Sequence, residues 1–257
     1  MRPGGLSEDP IVRDLEIMSR ATNYGAWIYS HFRAYPGQRI IECGAGIGNF
    51  TRFLLDRDLV VAADCYAPCL TYLASRFAAA SNVVPVQMDI GSPAVLELAR
   101  YRPDTVVCSN VLEHIQDDEA TLTCMHTLLA GSRGRLVLLV PAFQCLYGSI
   151  DRTIGHYRRY GKRELERKLV RAGFVIKDLF FMNTVAPLGW FVNNRVLKRT
   201  QESVAQVLVF DRWIVPWLSR LERLIRPPFG LSLIAVSETA GRSAAPEASP
   251  RPLPREG

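Results

Sequence analysis

The chain has 257 residues, of which 48% are hydrophobic and 22% charged, as is typical of a globular protein that can bury a sizeable core. The formal net charge of +6 allows an anionic partner but does not require one. No run approaches the roughly 18 apolar residues of a membrane span, and the opening residues, MRPGGLSEDP, lack the apolar segment of a signal peptide.

The six cysteines form no CxxC pair and show no zinc-type spacing. Several of them lie within apolar runs, where cysteine behaves as a small hydrophobic residue. We therefore expect reduced thiols, no metal site and a cytoplasmic location.

Apolar, β-branched segments alternate with helical patterns along most of the chain. A first helix is predicted over 9–33. Strands are predicted over 39–43, 59–63, 83–88, 105–108, 135–140, 174–181 and 232–237. Helices between them are predicted over 49–56, 67–80, 93–100, 117–130 and 162–172. This alternation predicts an α/β fold with a mostly parallel sheet and helices on both faces.

We expect one domain over 1–238, with a helical insertion or cap at 184–230, before the last strand. Packing on the domain or a dimer contact would explain its apolar residues. Because Trp and Phe lie beside basic residues in it, a peripheral membrane contact is the other open interpretation. The Pro- and Ala-rich segment 239–257 is expected to be disordered.

A glycine-rich segment, IIECGAGIGNF, follows the first predicted strand, with glycine at 44, 46 and 48. A strand followed by such a turn can bring a ligand close to the backbone. The spacing does not fit the dinucleotide pattern G-x-G-x-x-G, because Asn49 occupies the sixth position. The glycines alone leave two interpretations open, a tight turn without a ligand and a ligand-binding turn.

Carboxylates lie at the ends of three consecutive predicted strands, namely Glu42, Asp64 and Asp89. Open α/β sheets bind ligands at this edge. Asp64 could accept two hydrogen bonds from ribose hydroxyls, and Asp89 could accept one from an exocyclic amine. Together with the glycine turn, these positions favour a nucleoside-containing ligand.

The motifs resemble those of class I S-adenosylmethionine-dependent methyltransferases. ECGAGIG resembles their E/D-x-G-x-G-x-G motif, and AAD at 62–64, QMDI at 87–90 and TVVCSNVLEHI at 105–115 match later motifs in order and spacing. Within this family the chain resembles the small-molecule branch, which includes quinone-biosynthesis methyltransferases. The resemblance implies a Rossmann-like seven-stranded fold and S-adenosylmethionine as the cofactor.

The resemblance also implies contacts to the methionine part of the cofactor. Gly44, Gly46 and Gly48 would let this part approach the backbone, with Glu42 near its ammonium group. Asn110 would line the cofactor near the sulfonium.

For the adenosine part, the resemblance assigns Asp64 to the ribose hydroxyls and Cys65 to one side of the adenine. Asp89 would contact the adenine amine, with Ile90 beside the ring.

Catalytic residues vary across this family, so the motifs do not assign them. We infer the residues of the acceptor site from the composition of one loop instead. The loop CLYGSIDRTIGHYRRYGKREL, 145–165, should overhang the carboxyl edge of the sheet and is rich in hydrogen-bonding and aromatic groups. We expect His156, His114 and Tyr157 to be the catalytic residues, with His156 as the general base. The alternative is that these side chains only stabilise the loop.

The sequence thus predicts methyl transfer from S-adenosylmethionine to an oxygen or nitrogen of a small acceptor, which could contain a lipid or glycan part. Two alternatives are a nucleotide-dependent oxidoreductase and a non-catalytic cofactor-binding or partner-binding module. A nucleic-acid substrate is not expected, because SNVLEH stands where amino-methylating DNA enzymes carry N/D-P-P-Y/F.

Overall fold

A computed structural model describes residues 7–131, 133–199 and 204–240 of the chain. It contains one seven-stranded sheet. The strands are β1 Arg39–Cys43, β2 Leu59–Asp64, β3 Val83–Gln87, β4 Thr105–Ser109, β5 Arg135–Pro141, β6 Phe174–Met182 and β7 Ser232–Thr239. Their order is β3-β2-β1-β4-β5-β7-β6, and only the pairs that involve β7 are antiparallel. The prediction of a seven-stranded, mostly parallel sheet is confirmed.

Helices cover both faces of this sheet. They are α1 Pro10–Ser19, α2 Thr22–Phe32, α3 Ala67–Arg76, α4 Asp118–Leu129, α5 Ser149–Thr153, α6 Lys162–Arg171, α7 Ala186–Phe191, α8 Val204–Val209 and α9 Val215–Leu224. Short 3-10 segments lie at Thr51–Phe53, Pro93–Tyr101, Leu112–His114 and Gln144–Leu146, and π-helical turns lie at Val192–Val196 and Phe210–Ile214.

Two predicted helices differ from the structure. The single helix expected over 9–33 is divided into α1 and α2, because Ala21 has a non-helical backbone with a ψ of 67°. The helix expected over 49–56 is only the 3-10 turn Thr51–Phe53. Gly48, immediately before this segment, has a φ of +81°, which a right-handed helix does not allow.

The core lies on both faces of the sheet, since neighbouring residues of each inner strand point to opposite sides. Ile41 and Val61 belong to the cluster under α4 and α6, whereas Ile40 and Val60 belong to the cluster under α2. All four side chains are fully buried. Strands covered on both faces read as continuous apolar runs, which is why the sequence located them well.

One carboxylate of the insertion fastens it to the N-terminal helices. Ala21, before α2, provides no side-chain cap. The buried Asp211 instead accepts hydrogen bonds from the backbone nitrogens of Asn23 (3.4 Å) and Tyr24 (2.7 Å) and from Nδ2 of Asn23 (3.1 Å). Asp211 therefore caps α2 from a distant part of the chain.

A second carboxylate fastens the insertion to the end of β6. Glu222 of α9 is buried and accepts from the backbone nitrogens of Asn183 and Thr184, each at 2.9 Å. It also accepts from Oγ1 of Thr184 at 2.8 Å. The helical segment 204–224 is thus packed on the domain.

The last strand extends further than predicted and ends at Thr239. Residues 241–257, which make up most of the segment expected to be disordered, lie outside the described residues.

We expect Asp211→Ala to lower the free energy of unfolding by about 0.5–2 kcal/mol, because it removes the acceptor that caps the first turn of α2. Asp211→Asn, which keeps one side-chain acceptor, should cost less. Urea unfolding measures both, with the exposed Asp14→Ala of α1 as a control. If Asp211→Ala is as stable as that control, the carboxylate does not cap α2.

Candidate active site

The glycine turn lies at the carboxyl end of β1, as predicted. Gly44, Gly46 and Gly48 all have positive φ, at 69°, 54° and 81°. An added Cβ would lie 2.2 Å from Cγ2 of Val111 at Gly44 and 2.2 Å from Cε2 of Phe77 at Gly48. Both the backbone conformation and the lack of space therefore require glycine at these positions.

Glu42 and Asp64 fix this turn from two sides. The buried Glu42 accepts a hydrogen bond from Oγ1 of Thr51 at 2.7 Å. Asp64 accepts from the backbone nitrogens of Gly46 and Tyr66, each at 2.8 Å. Since each carboxylate oxygen can accept more than one hydrogen bond, Asp64 keeps acceptor capacity for a ligand.

Glu42 also has the electrostatics expected beside a cationic ligand group. Burial raises the pKa of its carboxyl to about 8. A positive charge placed next to the carboxylate would favour its ionised form and lower this pKa. The residues present therefore fit the ammonium group of S-adenosylmethionine.

The other predicted cofactor residues follow neighbouring strands at the same edge. Asp89 is exposed after β3 and accepts from the backbone nitrogen of Gly91 at 2.9 Å, while Ile90 is buried. Cys65 is exposed directly after β2. Asn110, after β4, has a φ of 52° and donates its backbone N–H to the oxygen of Leu139 at 2.8 Å. The sheet thus brings these residues to one edge.

A contact that the sequence did not predict covers the glycine turn. Leu15 of α1 packs on Gly46, where an added Cβ would lie 3.0 Å from Cδ1 of Leu15. Asn49 donates to the backbone oxygen of Leu15 at 2.8 Å, and Tyr66 donates to the Asp9 carboxylate. The N-terminal helix therefore closes over the turn, and no local pattern signals these partners.

Buried charged groups converge on the loop after β5. Asp151 accepts from Nδ1 of His156 at 3.0 Å, from Nε of Arg159 at 2.7 Å and from Nδ2 of Asn194 at 2.7 Å. Nε2 of His156 lies 3.7 Å from Oε1 of Glu113. We call these five residues the Asp151 cluster.

The Asp151 cluster has a defined protonation pattern. Burial opposes ionisation of Asp151, but the hydrogen bond with His156 and the charge of Arg159 outweigh it and lower the carboxyl pKa to about 2. An ionised Asp151 only accepts, so Nδ1 of His156 carries a hydrogen and, in the neutral ring, Nε2 keeps its lone pair.

Glu113 is the unusual member of the cluster. It is fully buried, and neither of its carboxylate oxygens has a hydrogen-bond partner. Burial raises the pKa of this carboxyl to about 8. An unpartnered buried carboxylate is costly unless it is protonated or faces a cation, so this position is poised to take up positive charge.

His114 and Tyr157, the other two candidate catalytic residues, lie beside the cluster. The His114 ring packs edge-on against His156 with centroids 4.5 Å apart. Burial and the neighbouring His156 lower the pKa of His114 to about 4, so it is neutral near pH 7. Tyr157 is exposed, and its backbone N–H donates to the oxygen of Glu113 at 2.8 Å.

Although the sequence predicts no metal site, three side chains of suitable type meet here. Glu113, His114 and His156 each offer a ligand atom, and these atoms lie within 4.8 Å of one another. A carboxylate and two imidazoles suit several divalent metals. Within the Asp151 cluster, Glu113 and Asn194 were not predicted as site residues from the sequence, because no local motif marks either of them as a functional residue.

Arg158 and Arg159 of the loop are engaged within the protein. Arg159 is almost fully buried and paired with Asp151. Nη1 of Arg158 lies 2.9 Å from Asp118, which also accepts from Tyr160 and Lys168. These pairs fix the loop onto α4 and α6.

The family of the chain follows from a match to a family model described as a methyltransferase domain, which covers residues 29–179. This match spans more than half of the chain, so the chain belongs to the methyltransferase domain family. No curated protein matches the chain.

Solved structures show the same fold at low sequence identity. An S-adenosylmethionine-dependent methyltransferase from Mesorhizobium loti is 18% identical, with a TM-score of 0.53 over 84% of this chain and 99% of that one. The magnesium protoporphyrin IX methyltransferase of Synechocystis PCC 6803, solved with bound S-adenosylmethionine, is 14% identical, with a TM-score of 0.51 over 92% and 87%. The cyclase SpnF is 16% identical, with a TM-score of 0.56 over 86% and 81%.

The predicted class is therefore confirmed. The chain is a methyltransferase with the class I fold, and S-adenosylmethionine is the methyl donor of this class. The likeness to a cyclase shows that the acceptor chemistry must be argued from the site rather than from the fold.

The raised pKa of Glu113 predicts a pH dependence of stability. Its folded-state carboxyl binds a proton more tightly than the unfolded one, so its contribution is present below about pH 4.5 and is lost as the pH rises through about 8. We expect the melting temperature of the wild type to fall more steeply than that of Glu113→Gln between about pH 5 and pH 9. The exposed Glu97→Gln is the control; parallel curves for Glu113→Gln and the wild type would contradict the assignment.

Proposed function

We propose that this methyltransferase transfers the methyl group of S-adenosylmethionine to an oxygen or nitrogen of a small acceptor, and that His156 removes the acceptor proton. The single observation that supports this proposal is the orientation of His156. Asp151 engages its Nδ1 at 3.0 Å, while its Nε2 lies beside Glu113 and His114.

The cofactor half of the proposal rests on the edge of the sheet. Gly44, Gly46 and Gly48 would admit the methionine part, Glu42 would face its ammonium group, and Asp64 would bind the ribose hydroxyls. Cys65, Asp89 and Ile90 would surround the adenine, and Asn110 would lie near the sulfonium. When bound, the cofactor supplies a methyl group that its sulfonium makes electrophilic.

Val111 connects the cofactor side to the acceptor side. It packs directly on Gly44 of the glycine turn, and it immediately precedes the 3-10 turn Leu112–His114 that carries Glu113 and His114. The proposed acceptor groups therefore belong to a segment that is packed on the cofactor turn. This arrangement suits alignment of an acceptor atom with the methyl group.

The Asp151 cluster gives His156 the features of a general base. An ionised carboxylate fixes the tautomer of the ring, as in other carboxylate–histidine pairs. On the other side of the ring, the nearest oxygen of Glu113 is 3.7 Å from Nε2. After Nε2 accepts the acceptor proton, the ionised Asp151 would stabilise the imidazolium through its hydrogen bond with Nδ1.

His114 and Tyr157 would form the outer wall of the acceptor site. Both reach the surface next to the less accessible His156, although the imidazole of His114 is partly enclosed by the protein. A neutral His114 can donate or accept one hydrogen bond, and Tyr157 offers an aromatic face. These groups suit a small acceptor with a polar reacting atom and an apolar or aromatic body.

The ribose assignment predicts that Asp64→Ala weakens S-adenosylmethionine binding by about ten- to a hundredfold, because two hydrogen bonds to a charged group are lost. Titration calorimetry measures the change. Asp58→Ala, an exposed aspartate just before β2, is the matched control. Equal affinity of Asp64→Ala and the control would refute the assignment.

The base assignment predicts that His156→Gln lowers turnover by about 10²- to 10⁴-fold and leaves cofactor affinity within a factor of two or three. Its pH–rate profile should lose the limb that reports the base. His126→Gln, on α4, is the control imidazole substitution. Because the acceptor is unknown, a panel of phenols, amines and carboxylic acids is screened first with the wild type.

Two other outcomes would overturn the base role. Unchanged turnover in His156→Gln would show that the ring only stabilises the loop. Loss of activity on chelation, restored by added Zn²⁺, Mn²⁺ or Mg²⁺, would show that Glu113, His114 and His156 bind a cation, so that His156 is a ligand instead.

A further inference from the structure

An exposed apolar row runs along the helical segment formed by α8, the π turn Phe210–Ile214 and α9. Its members, spaced three or four residues apart, are Val209, Trp213, Trp217, Leu221 and Leu224. Trp217 is 73% exposed and Leu224 84% exposed. Residues at this spacing share one side of a helix, and the wider π turn offsets the drift that the spacing accumulates on an α-helix. We call this row the tryptophan stripe.

The core does not account for the tryptophan stripe. The opposite side of α9 carries Val215 and Leu218, which are buried in the cluster under α2. The same inner side carries Asp211 and Glu222, which cap other elements. The segment therefore has a packed apolar face and a second apolar face in solvent, which a cap of the domain alone would not need.

The charges of this segment are divided between the same two sides. Among residues 204–226, the acidic ones are Asp211 and Glu222, and both are buried. The exposed charges are arginines, and among ion pairs between described residues Arg226 is the one of them that pairs with a carboxylate, Asp178.

Two of the arginines lie directly beside the tryptophans. The guanidinium of Arg212 is 5.8 Å from the ring centroid of Trp213, and that of Arg220 is 5.7 Å from that of Trp217. Arg223 is exposed one turn further along α9. The solvent side of the segment thus combines indole rings, leucines and positive charge, with no exposed carboxylate in 204–226.

We propose that the tryptophan stripe docks on the surface of an anionic lipid bilayer. Indole rings favour the headgroup level, leucines insert just below it, and arginines pair with lipid phosphates. None of the described helices is long and apolar enough to cross a bilayer, so the segment would lie in the plane of the surface. A second copy of the chain fits less well, because a two-fold contact through the stripe would bring arginine against arginine.

The test is co-sedimentation of the full chain with vesicles of phosphatidylcholine alone and of phosphatidylcholine mixed with phosphatidylglycerol. We expect binding to the anionic vesicles that weakens with salt. Arg220→Gln/Arg223→Gln should weaken this binding by about tenfold or more, and Trp213→Ser/Trp217→Ser should abolish it. Methyl transfer is not measured, so the result is independent of the proposed acceptor chemistry.

Matched controls are available elsewhere on the surface. Arg163→Gln/Arg167→Gln on α6 removes the same charge, and Val170→Ser/Val175→Ser removes two other exposed apolar side chains. Both should bind vesicles like the wild type. Because the substituted side chains are exposed, all variants should keep the circular dichroism and melting temperature of the wild type. If Trp213→Ser/Trp217→Ser does not, the vesicle binding of Arg220→Gln/Arg223→Gln tests the proposal instead.

Several results would overturn the proposal. One is a wild type that ignores anionic vesicles at low salt. Another is stripe variants that bind as well as the controls. A third is a dimer, seen by sedimentation equilibrium, that Trp213→Ser/Trp217→Ser dissociates while vesicle binding is absent. That last result would assign the stripe to a second copy of the chain.

Discussion

The carboxylate of Asp151 is the interaction on which the acceptor side of this protein depends. It is fully buried, and its donors are Gly148, His156, Arg159 and Asn194. A buried charge is tolerated only when such donors are in place. The need for these hydrogen bonds therefore restrains both the loop after β5 and the part of the insertion that carries Asn194. The same contact that joins the loop after β5 to the insertion therefore also selects the tautomer of His156.

Buried carboxylates also affect the segment 152–172, in which basic residues are frequent. Composition alone suggests a solvated face or an anionic partner. In the structure, Arg159 pairs with Asp151, while Arg158 and Lys168 pair with Asp118. These three side chains compensate buried carboxylates, which would be far more costly if isolated. Arg163 and Arg167 of the same run stay exposed, and further exposed positive charge lies on the solvent side of 204–226.

The sequence predicted what depends on local constraints. Continuous apolar runs located the strands, and Gly44, Gly46 and Gly48 marked a turn that requires positive φ. The prediction of a helix after that turn was wrong. The positive φ of Gly48 is incompatible with a right-handed helix that begins at this glycine. Contacts such as Asn194 with Asp151 or Leu15 with Gly46 join segments far apart in sequence, and a polar or apolar residue carries no local sign of such a partner.

The charge asymmetry of the insertion follows from the hydrogen-bonding needs of the fold. Helix α2 begins without a side-chain cap of its own, and the backbone nitrogens after β6 need acceptors. Asp211 and Glu222 satisfy these donors and so must point inward. Once both carboxylates of 204–226 are used in this way, the solvent side of 204–226 keeps only arginines among its charges. A structural requirement on one face of a helix has thereby produced a basic, apolar surface on the other.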